Sequence, residues 1–165
     1  MERYAQTLPD RYPLKDTGLD GFEKKLVPPF RHLMVALRGT RPDAWHTAYA
    51  TAAEIWGPPV GLPLVHRFSA TVFNLHETGK RAFILHDPLD LRNREDLSRD
   101  EMDFFEMIHY MRRSSPHAAR ESIFALTEGR MDAGFIHEAM SFCHDYAVGV
   151  RPGVGSKPKL RVVSS

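Results

Sequence analysis

Nine histidines, at positions 32, 46, 66, 76, 86, 109, 117, 137 and 144, are the residues of this 165-residue chain best equipped to do chemistry. A neutral imidazole is the commonest metal ligand and titrates near neutral pH. Glu106 and His109 stand three apart, so a helix puts carboxylate and imidazole on one face. A di-iron bundle needs two such Glu-x-x-His steps plus two further glutamates, and the sequence holds one. His137 and His144 are seven apart, two helical turns and about 10 Å of rise. They could share an ion only with ligands from another helix, and Glu106 or His109 could supply them. Glu106, His109, His137 and His144 are therefore the candidate set for a divalent metal ion. Such an ion would activate a water and make the chain a hydrolase. The competing reading puts His137 and His144 on a solvated face opposite Phe135, Ala139 and Phe142.

The other patterns are weaker. His86-Asp87 and His144-Asp145 are the doublets a metal-dependent phosphohydrolase of the His-Asp type would use. Pro88 follows the first, and no acid follows the second to complete the set. Gly79-Lys80 resembles the end of a phosphate loop, but Arg81 replaces the Ser or Thr, and Asn74 replaces the first glycine. Cys143 precedes His144, yet helical neighbours point about 100° apart. It reads as a small buried hydrophobe beside Phe142 and Met140. Residues 116–128 and 133–148 have the outline of a helix-turn-helix with Gly129 in the turn. Glu128 and Arg130 stand where apolar residues should pack, and Asp132, Glu138 and Asp145 would repel phosphates.

The elements that must position these residues follow from periodicity and punctuation. Leu19, Phe22 and Leu26 start an amphipathic helix that Pro28-Pro29 should interrupt. A second helix then runs through Phe30, Leu33, Met34 and Leu37 to Gly39. Trp45, Ala48, Tyr49, Ala52 and Trp56 form the next stripe, ended by Gly57-Pro58-Pro59. Leu64, Phe68, Val72 and Leu75 suit a helix leading to a short strand at residues 81–86; a hairpin over the same region is the alternative. Ser98-Arg99-Asp100-Glu101 is a capping box opening a helix over 99–113. Ser115-Pro116 and Asp132 open two more, carrying Ala119, Ile123 and Leu126, then Phe135, Ala139, Phe142 and Tyr146.

Composition bounds the rest. At 42% hydrophobic and 26% charged, the chain can bury an ordinary core. One cysteine precludes an internal disulfide. The start lacks the apolar run of a signal peptide and no run could span a bilayer, so cytoplasm is the expected compartment. Four of the 22 bases lie in the last 17 residues, which contain no acid, leaving 18 bases against 21 acids elsewhere. A weakly acidic body with a basic tail is not the profile of a whole-domain nucleic-acid binder.

The expectation is a mainly α protein, a compact bundle of five or six helices with room for one short β element near residues 62–87. An irregular arm (1–16) precedes the helical domain (17–149), and a flexible basic tail (150–165) follows it. The function expected is that of a small non-enzymatic interaction or regulatory protein that needs no cofactor. It would bind a protein partner, or a second copy, through a helical surface and its termini. Arg151, Lys157, Lys159, Arg161, Trp45 and Trp56 are the candidate contacts. The alternatives are the metal-dependent hydrolase, and a transcription accessory protein contacting nucleic acid through the tail.

Overall fold

The computed structural model describes residues 11–152. Six α-helices dominate them: α1 (Gly21–Leu37), α2 (Ala44–Trp56), α3 (Pro58–Thr78), α4 (Arg99–Arg112), α5 (Arg120–Leu126) and α6 (Ala133–Asp145). Helix α1, α2 and α3 pack on one another, α6 bridges α3 and α4, and α5 lies on α4. The core centres on Phe30 of α1. Its ring stacks on Phe104 of α4 at 4.5 Å and meets Phe105, Phe68 and Phe83 at 5.3, 6.4 and 6.1 Å. All of the periodic stripe residues Leu64, Phe68, Val72 and Leu75 are buried, as are Ala48 and Ala52. Among the described residues, no helix is long and apolar enough to cross a membrane.

Side-chain caps set three of the six helix starts. Asp20 and Glu23 form a capping box on α1, Ser98 and Glu101 form the expected one on α4, and Asp132 accepts from the Phe135 amide on α6 at 2.8 Å. Helices α2 and α3 approach closely because Gly61 has no Cβ: one there would overlap the Ala52 carbonyl and lie 2.9 Å from the Ala53 nitrogen.

Three expectations are corrected. The Pro28-Pro29 pair does not divide α1, which runs unbroken from Gly21 to Leu37. The helix survives because Leu26, Val27, Phe30, Leu33 and Met34 are buried on both sides of the pair. Tertiary burial here outweighs the roughly 3 kcal/mol that an interior proline costs. The β element is not within 62–87. Residues 81–86 form no strand, and the two-stranded sheet pairs β1 (Tyr12–Pro13) with β2 (Asp96–Leu97), antiparallel, Tyr12 opposite Leu97. The reason lies in where the backbone groups of 80–86 bond. The Ile84 amide donates to Asp100, the Ile84 carbonyl accepts from Ser98, the His86 amide donates to Glu101, and the Phe83 carbonyl accepts from Arg38. Side chains satisfy this extended segment, so it needs no neighbouring strand. Finally, α5 starts at Arg120, four residues after Pro116. Ala118 and Arg120 donate to Ser115 and His117, spacings that make turns instead of an α-helix.

Candidate functional site

The structure takes the candidate metal ligands apart. Glu106 accepts from Ser122 of α5 at 3.2 Å, whereas the His109 Nδ1 faces Glu23 of α1 at 2.9 Å. His137 and His144 are exposed on α6. Among the described residues, no group of three or more His, Cys, Asp or Glu side chains is placed to hold a metal ion. Cys143 is buried, and burial pushes its thiol up to about 12, so it is an inert core residue at neutral pH. The helix-turn-helix outline also dissolves, because α5 packs on α4 and hardly touches α6, and Phe124 is exposed.

The strongest electrostatics belong to two buried networks that the sequence reading missed. In the first, the fully buried Glu23 accepts from Arg112, Arg113 and the Asp20 amide at 2.6, 2.7 and 2.8 Å, beside His109. Asp20 takes a second bond from Arg112 at 2.7 Å, and Arg112 also donates to the Tyr146 carbonyl. Burial raises both carboxyls. For Asp20 the Glu23 amide and the guanidiniums outweigh burial, and for Glu23 His109, Arg113 and the Asp20 amide do so, so both carboxyls sit below their ordinary range. The second network joins Arg31 and Glu101 in a two-point pair at 2.8 and 2.9 Å, with Arg31 also donating to the Asn93 and Asp96 carbonyls. Every oxygen of these carboxylates is occupied within the protein. They tie α1 to α4, to the 93–97 segment and to the end of α6. A position signal existed: Glu23 and Arg31 fall inside the buried stripe of Leu19, Leu26, Val27 and Val35.

What remains open is a surface groove. Two adjoining cavities of about 430 and 380 Å³ share Pro28, Ile55 and Arg94 as walls. Helix α1, the end of α2 and the 88–95 segment enclose them. Leu14, Val27, Pro28, Ile55, Pro88 and Leu91 supply an apolar floor, with Leu91 77% exposed. Lys15, Lys24, Lys25 and Arg94 rim it, against Glu54 and Glu95. Pro28 and Pro29 bear no N–H, so the carbonyls of Lys24 and Lys25 lack their usual helical donors at the same wall.

The expected partner contacts fall elsewhere. Trp45 and Trp56 are partly buried, Trp45 against Tyr49 and Trp56 against Phe22, with ring centroids 5.7 and 5.9 Å apart. Arg151 is exposed; Lys157, Lys159 and Arg161 lie outside the described residues. The fold thus defines a mainly α bundle with an internal ionic scaffold and an open basic-rimmed groove. Compared with protein-family models, with curated proteins and with solved structures, the chain matches none.

Proposed function

We propose that this chain is a non-enzymatic interaction protein whose helical surface binds a segment of a protein partner, acidic in charge and anchored by apolar side chains. The groove beside α1 supports the reading. Its apolar floor is open to solvent at Leu91, 77% exposed, and Leu89, 65% exposed, lies two residues before it on the same segment. Large exposed apolar side chains gathered beside a cavity and rimmed by charge are the usual form of a docking surface. The rim carries four cations against two acids, which selects an acidic ligand and speeds its encounter. A partner that also brings N–H donors fits best, because the Lys24 and Lys25 carbonyls stand without their helical ones. The basic residues Arg151, Lys157, Lys159 and Arg161 would favour the same acidic partner.

Peptides selected from a random displayed library against the full chain test this. Selected sequences should be acidic with spaced apolar anchors. Their affinity should fall at least tenfold on Leu91→Asp and on the pair Lys24→Glu and Lys25→Glu. Selection of basic peptides, or affinity unchanged in both variants, would overturn the proposal.

A further inference from the structure

On a different part of the molecule, the C-terminal ends of α1 and α3 and the loop between α5 and α6 enclose a cavity of about 340 Å³. Met34, Leu75 and Phe83 give it apolar walls, and Arg38, Lys80, Arg81 and Arg130 line it with His76 and a single acid, Glu77. The carboxylates nearby do not account for these charges. Asp100 pairs with Lys80, and Glu128 lies 3.5 Å from Arg130 in an exposed pair. Arg38 instead donates to the Phe83 carbonyl, and Arg130 to those of Thr127 and Gly79. These carbonyls orient the guanidiniums but carry no net charge. Neither Arg38 nor Arg81 forms an ion pair among the described residues. Burial lowers the Arg38 guanidinium from its ordinary range even though Glu101 and Asp100 raise it, so its charge is partly dehydrated without a carboxylate in contact.

Three segments distant in sequence thus bring guanidiniums to one apolar-walled cavity, those of Arg38 and Arg130 held by backbone carbonyls, and an anion would relieve their mutual repulsion. We infer that this cleft binds a small phosphate monoester, its phosphate held by Arg38, Arg81 and Arg130 and its organic body set against Met34, Leu75 and Phe83. Guanidiniums match phosphate oxygens in two-point geometry, and the volume lies at the small end of ligand pockets. This site is independent of the groove, so either can fail without the other.

The test is titration of the full-length protein with adenosine 5′-monophosphate, adenosine and inorganic phosphate, read by amide chemical shifts. The monophosphate should move the Gly79–Phe83 and Arg130 amides with a dissociation constant below about 1 mM, the range of weak specific ligands. Adenosine should bind at least tenfold more weakly, and phosphate should move the same amides. Arg81→Glu, at an exposed position whose side chain makes no hydrogen bond among the described residues, should weaken the monophosphate at least tenfold with the thermal midpoint kept. Shifts absent at 10 mM monophosphate, adenosine binding equally well, or affinity unchanged in Arg81→Glu would each overturn the inference.

Discussion

Removing the Glu101 carboxylate should be one of the most damaging single changes in the molecule. Both members of the Arg31–Glu101 pair are buried, with side chains 4% and 0% exposed. Glu101 Oε1 accepts from Arg31 Nε at 2.8 Å and from the His86 amide at 3.3 Å, and Oε2 accepts from Arg31 Nη2 and the Ser98 amide at 2.9 and 2.8 Å. Glu101→Ala strands a buried guanidinium, which costs about 3–5 kcal/mol when one partner of such a pair is lost. It also removes half of the α4 capping box, worth roughly 1 kcal/mol. The total is about 5 kcal/mol, comparable to the whole stability of a marginal domain. With a urea slope of roughly 2 kcal/mol per molar, the unfolding midpoint falls by about 2.5 M. Replacing both partners by apolar residues, Arg31→Met with Glu101→Leu, leaves no stranded charge. It should cost less than Glu101→Ala alone, because buried ion pairs hardly outperform apolar packing of the same shape. Urea unfolding of Glu101→Ala and of the four members of the Arg31→Met, Glu101→Leu cycle is the assay. A loss below about 1.5 kcal/mol for Glu101→Ala, or additive losses in the cycle, would refute a buried, mutually dependent pair.

The other expectations are briefer. Asp20 and Glu23 titrate in the folded protein below their ordinary values of 3.8 and 4.5. Their stabilisation is therefore complete above about pH 4.5 and is lost as pH falls through the lower folded values. Thermal midpoints should hold from pH 7 to 5 and drop below pH 4, with a shallower acid drop in Glu23→Gln; equal acid slopes would count against this account. Gly61→Ala, which in an exposed helix would stabilise by about 1 kcal/mol, should instead destabilise by about 3 kcal/mol or more because its Cβ meets the Ala52 backbone. Calorimetry decides the sign. Pro28→Ala restores an N–H for the Lys24 carbonyl and should raise the midpoint while weakening groove peptides; a lower midpoint would mean that proline packing sustains α1.

The helices were legible wherever one physical rule dominated. The capping box at Ser98 and Glu101, the cap at Asp132 and the stripe Leu64, Phe68, Val72 and Leu75 depend on neighbours within a turn or two, and all are present. Local rules failed where distant groups decide. Pro28-Pro29 signals a break, but burial of α1 on both sides carries the helix through. Residues 81–86 look like a strand, but Asp100, Ser98, Glu101 and Arg38 bond their backbone. The histidines attracted attention by number, whereas the charges that organise the interior are carboxylate–guanidinium pairs separated by 70 to 93 residues. Only their positions inside apolar stripes marked them, because a buried charge is tolerated where a partner waits.

The division of charge is what leads us to propose binding for this fold. Glu23 and Glu101 are saturated by donors, so neither can accept a substrate proton without dismantling the α1–α4 junction. Cations that pair with no carboxylate among the described residues lie instead at cavities on the surface, Lys24 and Lys25 at the groove and Arg38 and Arg81 at the cleft. Apolar burial carries α1 through two prolines, and the second consequence of those prolines is that the Lys24 and Lys25 carbonyls beside the groove lack their usual helical donors. A rigid frame with unsatisfied, outward-facing groups loses little order when a ligand completes them, which is the economy a recognition surface needs.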